Sequence, residues 1–123
     1  MANTVAVLLA GGTSLFRAYV RLVIEGRPQF RVVGEAFSAP IAIAIAKQKR
    51  PHLVLLDCRH SSEVFVESIR KVTNETGVAC LLVRTADQAS IVTERDRESG
   101  VDEVVMEDDD PRSLIRHLEG MSG

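Results

Sequence analysis

Cysteine and histidine, the residues that announce metal and redox sites, are scarce. The 123-residue chain holds two cysteines, Cys58 and Cys80, and three histidines. It has neither a CxxC pair nor a Cys/His spacing suited to zinc, and His52, His60 and His117 are scattered, which argues against a metal cluster. Both cysteines lie within or beside apolar runs, where the free thiols of a cytoplasmic protein are ordinarily buried. Long apolar runs are missing as well. None approaches the ~20 residues of a membrane-spanning helix, so a membrane role has no support. The run from Val5 to Ala10 is too short for a secretory signal and lacks a basic leader. An excess of positive charge is also absent. Fifteen Lys and Arg against seventeen Asp and Glu give a formal net charge of −2, which argues against a general nucleic-acid surface. Repeats, low-complexity stretches and linkers do not occur. The length allows one domain, residues 1–123 with a core of about 5–119. With 46% apolar residues, that domain can bury a sizeable core.

What is present is an alternation of short apolar runs with longer amphipathic stretches. The runs are Val5 to Ala10, Arg31 to Phe37, Leu53 to Leu56, Val78 to Val83 and Val101 to Met106. The first, third and fourth are almost continuously apolar, as strands are when helices cover both faces of a parallel sheet. The second and fifth are more mixed, which suits positions nearer an edge. Five strands with helices between them predict an α/β fold, a doubly wound five-stranded parallel sheet.

The helices carry their own start and stop signals. Thr13 or Ser14 can cap the first, which presents Phe16, Val20 and Val23 or Ile24 on one side, with Gly26 and Pro28 ending it. Ser38 can cap the second, with Pro40 in its first turn and Pro51 just past its end. The run from Ile41 to Ala46 has a strand-like period of two. High alanine propensity, the continuation through Lys47, Gln48 and Lys49, and the need for a crossover favour helix. The third helix places Phe65, Ile69 and Val72 at i, i+4 and i+7, with Glu67 and Lys71 as an exposed pair. The fifth opens on Asp110 and Pro111 and buries Leu114, Ile115 and Leu118. Between Asp87 and Gly100 the large apolar residues are Ile91 and Val92 alone. A helix there gains little from docking, which predicts a solvated, loosely held element or a charged partner-binding surface.

In an open α/β sheet, ligands sit outside the carboxyl ends of the strands, where strand order reverses. The residues at those ends are Gly11 and Gly12 after the first strand, Asp57 to His60 after the third, Thr85 and Ala86 after the fourth, and Glu107 and Asp108 after the fifth.

From Val5 to Leu118 the chain resembles a response-regulator receiver domain of the subgroup usually joined to a LuxR- or NarL-type helix-turn-helix. The resemblance rests on Val7 to Ala10 followed by Leu15 to Arg17, on Val32 to Ala36, and on Arg50-Pro51 leading into Leu53 to Arg59. Thr85-Ala86, Gly100 to Asp102 and Asp110-Pro111 complete it. It implies the flavodoxin-like (βα)5 fold with strand order 2-1-3-4-5. It also implies two-component phosphorelay signalling, transcription regulation, a cytoplasmic location, and a C-terminal DNA-binding domain outside this chain. The resemblance further implies five working positions. Two adjacent acids that hold Mg²⁺ fall on Gly11 and Gly12. The phosphoacceptor falls on Asp57, a contacting hydroxyl on Thr85, and a charge-neutralising lysine on Glu107. The aromatic switch position falls on Val104. Two of the five positions match and three do not.

The departures have physical consequences. Mg²⁺ loses its waters reluctantly and wants carboxylates and phosphate oxygens, and two glycines offer no side-chain oxygen. Mg²⁺ binding is therefore expected to be lost or very weak, and no other cofactor is expected. A lysine about 5 Å from a phosphoryl group attracts it by roughly 3 kcal/mol per unit charge at an effective dielectric near 20. Ionised Glu107 repels it similarly. The swing of about 6 kcal/mol is on the order of four powers of ten. Asp57 then reads as an exposed, inert strand end. The sequence Gly11-Gly12-Thr13-Ser14 leads into a helix N-terminus and could suit an anion, but it is neither a dinucleotide fingerprint nor a P-loop. A cation between Asp57, Glu107 and the acids up to Asp110 is a second option, set against the preference of acids for a helix N-terminus.

The leading expectation is an atypical, non-enzymatic receiver that signals by binding a protein partner or by dimerising. Leu114, Arg116 and His117 on the fifth helix form its candidate interface, and DNA is reached only through a domain outside this chain. The alternatives are a small-ligand or ion sensor using the altered pocket, and a weakly phosphorylated receiver at Asp57.

Overall fold

The apolar runs form the sheet of the computed structural model, which describes residues 4–88, 94–108 and 110–122. The strands are β1 (Val5–Gly11), β2 (Phe30–Ala36), β3 (Leu53–Asp57), β4 (Ala79–Arg84) and β5 (Val101–Val105). All neighbouring pairs are parallel, in the order β2-β1-β3-β4-β5. The continuously apolar runs occupy the three central places and the mixed ones the two edges, as two-sided burial demands. In β1–β2 the register slips between Val7 and Leu8, so Val33 is bulged. The helices are α1 (Ser14–Glu25), α2 (Ala39–Lys49), α3 (Glu63–Thr76), α4 (Glu94–Glu98) and α5 (Arg112–Ser122), with a 3-10 turn at Ala86–Gln88.

Side chains alternate across the sheet and build two cores. Val7 and Leu9 of β1 face Phe16, Val20 and Ile24 of α1 and Leu114, Ile115 and Leu118 of α5. Leu8 and Ala10 face the other way, toward Ala42 of α2 and Ile69 of α3. The period-two run of α2 is helical, capped by Ser38, whose hydroxyl accepts the amide of Ile41 at 3.4 Å. That helix ends on Arg50 in the left-handed region at φ 47°, one residue before Pro51. Thr13 caps α1 through the Phe16 amide, and Ser62 caps α3 through the Phe65 amide, each at 3.1 Å. At α5, Asp110 turns its carboxylate to the Arg112 amide at 3.0 Å, and the Pro111 carbonyl accepts from Ile115. The regular helix therefore starts one residue after the proline.

Two expectations need correction or restriction. Leu114 is not an interface residue, because it packs against the sheet and is completely buried. The exposed side of α5 carries Arg116 and His117. Ile91 and Val92 lie outside the described residues. The described part, α4, buries no residue and carries alternating charge from Glu94 to Glu98. Of the isolated histidines, His52 has a structural task. Its Nδ1 accepts the Ala6 amide at 2.9 Å, and its own amide donates to the Ala6 carbonyl, also at 2.9 Å, which ties the entry of β3 to β1.

Candidate functional site

The parallel register carries Gly11 beside Asp57 at the carboxyl edge of the sheet, with Asp57 beside Val83 of β4. The topology thus gathers the ends of β1, β3, β4 and β5, where the sequence places its site residues. Strand order reverses here, since β1 leads on one side to β2 and on the other to β3.

Asp57 is not exposed. It is 1% accessible, and its carboxylate is held by Arg59, two residues on. The Arg59 amide donates to Oδ1 at 2.9 Å, its Nε to Oδ1 at 3.2 Å and its Nη2 to Oδ2 at 3.2 Å. The guanidinium itself is nearly buried, its side chain 5% accessible. Its Cζ lies 4.6 Å from the centroid of the Phe16 ring, a cation–π contact. Its Nη1 donates to the Asp108 carbonyl at 2.9 Å, which bridges the loops after β3 and β5. A positive charge therefore sits on the strand-end carboxylate and belongs to the chain itself. Arginine suits this place because its planar fork meets both carboxylate oxygens and stacks on an aromatic face.

The two glycines are shaped to the same arrangement. Gly11 and Gly12 adopt φ of +77° and +75°, a region that other residues enter at a cost. A Cβ on Gly12 would stand 2.6 Å from Asp57 Oδ2, and one on Gly11 would collide with the Ser61 hydroxyl. Ser61 joins the two strand ends, donating to the Asp57 carbonyl at 2.7 Å and accepting the Gly12 amide at 3.3 Å. Arg17 closes the outer side, its Nη1 donating to the carbonyls of Gly11 at 3.0 Å and Gly12 at 2.8 Å. The Gly12 amide, which a strand-to-helix turn could offer to an anion, is thus already engaged. A void of about 10 Å³ beneath the site, between Leu9 to Gly11 of β1, Leu55 and Asp57 of β3, and Phe16, Arg17 and Val20 of α1, is the size of a single water at most.

The remaining positions serve the loops. The Glu107 carboxylate accepts the Ala86 amide at 2.6 Å, just past Thr85. Thr85 exchanges two 3.1 Å bonds with Gln88, its amide donating to Oε1 and its carbonyl accepting the Gln88 amide. Gln88 Nε2 reaches the Cys58 carbonyl at 3.1 Å. Val104 is buried in the core beside Met106 and Leu114. A small β-branched side chain there leaves no aromatic ring to swing between pocket and surface. Asp109 lies outside the described residues, so the acidic run is described at Glu107, Asp108 and Asp110.

The donor set does not fit Mg²⁺. Asp57 is the sole carboxylate among the residues at the ends of β1 and β3, both of its oxygens are taken by Arg59, and the glycines supply none. Among the described residues, no group of three or more His, Cys, Asp or Glu side chains could hold a metal ion. Cys58 and Cys80 are free and buried, and burial pushes their thiols up to about 11 and about 12. That suits inert core residues and not nucleophiles. Arg59, Ser61 and Arg17 were not assigned roles from the sequence. The spacing Asp57-x-Arg59 at a strand end was the available signal.

Comparison with known proteins agrees with this architecture. The chain is 25% identical over 89 residues to protein-glutamate methylesterase/protein-glutamine glutaminase 3 of Syntrophomonas wolfei, covering 72% of this chain and 25% of that protein. It is 22% identical over 88 residues to the transcriptional regulatory protein YdfI of Bacillus subtilis, covering 72% of this chain and 41% of that protein. The aligned parts therefore span a quarter to two fifths of these relatives. Among solved structures, a LuxR-family two-component response regulator from Aurantimonas sp. SI85-9A1 superposes with a TM-score of 0.77 at 25% identity. That match covers 98% of this chain and 87% of the other. No family model matches the chain. No described helix is long and apolar enough to cross a membrane.

Proposed function

We propose that this chain, which has the fold of response-regulator receiver domains, is an atypical receiver that regulates by binding a protein partner or a second copy of itself and does not accept a phosphoryl group. The observation that carries this reading is the Asp57–Arg59 pair. A phosphoacceptor must present a free carboxylate oxygen to an incoming phosphorus, in line with the leaving group and next to a metal. Here the carboxylate is buried, both oxygens accept from one guanidinium, and a phosphoryl group would have to displace that side chain from Phe16 and Asp108. Glu107 adds a negative charge where the resemblance implies a lysine. Without metal or lysine, the cation beside Asp57 is Arg59, whose guanidinium is already committed to that carboxylate and is not free to meet the charge that builds up in transfer.

Arg59 takes the electrostatic place of the missing cations. It is covalently part of the chain and cannot be lost, so the pocket has a single charge state where a working receiver has two. A regulatory role then falls to surfaces and not to this pocket. In this reading the domain works in the cytoplasm, where Cys58 and Cys80 stay reduced. It would reach DNA only through a domain joined to it; the transcriptional regulatory relative is longer than its aligned part, which covers 41% of it. A metabolite has no room in the void beside Asp57, and the small-ligand alternative would have to use the cleft of about 520 Å³ next to it, lined by Cys58, Ser61, Arg84 and Gln88.

The test is chemical. The protein is incubated with acetyl phosphate and Mg²⁺, and its intact mass is recorded beside an active receiver as control. The mass stays unchanged if the reading holds. Addition of one phosphoryl group, lost on Asp57→Asn, would refute it.

A further inference from the structure

Helix α3 and the end of β4 border a cleft of about 520 Å³, a volume within the range of small-molecule sites. The 3-10 turn after β4 bounds one side, where Gln88 Nε2 donates to the Cys58 carbonyl at 3.1 Å. Cys58 and Val66 give the cleft an apolar wall. Arg84 is held in place there. Its Nη1 donates to the Gln88 carbonyl at 2.8 Å, and its Nε faces Glu103 Oε2 at 3.6 Å, so its charge is offset from within. Arg70 of α3 is different. It is half-buried and lines the same cleft, yet no hydrogen bond or ion pair among the described residues engages its guanidinium. Glu67 stands at i−3, where a pair could form, and does not take it. A second hollow of about 320 Å³ adjoins the first at Glu67 and Arg70, so the guanidinium has open space around it. Burial raises the Cys58 thiol, and Arg84 and Arg70 both act against that rise, which puts the two charges near one wall of the cleft.

We infer that this cleft is a binding site for a small zwitterion, an apolar α-amino acid or a dipeptide of one, with its carboxylate on Arg70 and its ammonium among Glu63, Glu67 and Asp87. The inference goes beyond the partner-binding reading and does not depend on the state of Asp57. Charge selects the ligand. The lining sets two cations, Arg70 and Arg84, against those three acids. The cations are half-buried, whereas Glu63, Glu67 and Asp87 are exposed. A simple anion would meet Arg70 but also three carboxylates near the mouth. A simple cation would suit the acids and leave Arg70 unpaired. A molecule with both charges a few bonds apart satisfies both sets, its carboxylate inward and its ammonium outward. The planar fork of arginine accepts a carboxylate through two parallel bonds, which fixes the orientation. Partial burial strengthens that attraction over its value in open water. Val66 and Cys58 then face the ligand's side chain, the apolar contact that small-molecule sites ordinarily supply.

The experiment is an amide NMR titration of the chain with L-leucine and with L-leucyl-L-leucine. Each is added to about 20 mM, because a few charge-assisted bonds give roughly millimolar affinity. Mg²⁺ and phosphoryl donors are left out, so the outcome is separate from the fate of Asp57. L-leucinamide, which lacks the carboxylate, and 4-methylpentanoate, which lacks the ammonium, serve as controls. The signals of Ser61, Val66, Arg70 and Gln88 shift saturably with a zwitterion, and each control binds more weakly by on the order of tenfold. Whichever zwitterion binds more tightly names the source, and either supports the site. Arg70→Met keeps an apolar stem and removes the charge, and it weakens binding by on the order of tenfold as well. Lys71→Met, beside it but outside the cleft lining, leaves binding unchanged. Circular dichroism verifies that both variants fold. Absence of saturable shifts with both zwitterions overturns the inference. So does binding that Arg70→Met leaves intact, or a control that binds as tightly as the zwitterion.

Discussion

The guanidinium of Arg59 contacts the carboxylate of Asp57 through two 3.2 Å bonds, one to each oxygen, while the Arg59 amide adds a third at 2.9 Å. Both side chains are almost inaccessible to water. This places a permanent counter-charge on the residue at the position where the resemblance implies a phosphoacceptor. The arrangement depends on three other elements: Phe16 of α1 as a platform, the Asp108 carbonyl as an anchor, and Gly12 as the space into which Oδ2 fits.

Removing Arg59 should therefore be costly for folding. Breaking a buried pair by deleting one partner leaves an uncompensated charge and costs about 3–5 kcal/mol. Water entering from the pocket mouth reduces this, so Arg59→Ala should lose about 2–3 kcal/mol in urea unfolding. It should still not bind Mg²⁺, because the glycines donate no oxygen. An unchanged midpoint would show that the pair does not hold this end of the sheet.

Restoring one family acid should also fail. In Gly12→Asp the new Cβ meets Asp57 Oδ2, and the backbone sits at φ +75°. Left-handed strain and like-charge contact together should cost at least about 2 kcal/mol. Thermal melting would show this, and a variant as stable as the original would mean that the strand end relaxes freely.

Arg50 offers a stabilising change remote from the site. It ends α2 at φ 47°, in the left-handed region, with its side chain exposed. Glycine suits the left-handed end of a helix. Arg50→Gly should raise stability by up to about 1 kcal/mol, the relief being partly offset by greater freedom in the unfolded chain. A loss of stability would show that the arginine side chain matters there.

The buried thiols set the alkaline behaviour. Cys58 and Cys80 are raised by burial to about 11 and about 12, above a free thiol near ~8.5. A group raised on folding contributes fully below its unfolded value and loses that contribution as pH climbs through the folded one. Unfolding free energy should thus fall between about pH 9 and 12, and Cys80→Ala should flatten part of that fall. Equal slopes in the two proteins would contradict it.

Much of this was legible in the sequence. The continuous runs of β1, β3 and β4 predict central strands, the mixed runs of β2 and β5 predict edges, and Ser38 with Pro40 predicts the start of a helix that a period-two pattern conceals. Asp57, Gly11, Gly12, Thr85 and Glu107 were placed correctly at the strand ends. The burial of Asp57 was not legible. A polar residue after a strand reads as exposed unless its cover is known, and that cover is a side chain two residues away folded back onto a ring from α1. The exposure of Leu15, Tyr19 and Leu22 on α1 was hidden differently. Leu15, Tyr19 and Leu22 interleave with Phe16, Val20 and Ile24, so a helix apolar on two sides reads as one rich in core residues. Leu114 reads both as a buried residue of α5 and as part of the candidate interface; its spacing of i+4 to Leu118 marks the buried phase, and its complete burial keeps the first reading alone.

The account's central claim, that the Asp57 site answers to neither metal nor phosphoryl group, is tested most directly by amide NMR. Spectra are recorded alone, with millimolar Mg²⁺, and then with beryllofluoride as a phosphoryl mimic. The account predicts that the signals of Gly11, Gly12, Asp57, Arg59 and Thr85 keep their positions throughout. Saturable shifts of those signals, spreading to Glu107 and the α4 segment, would contradict it and reveal a working switch in which Arg59 moves aside.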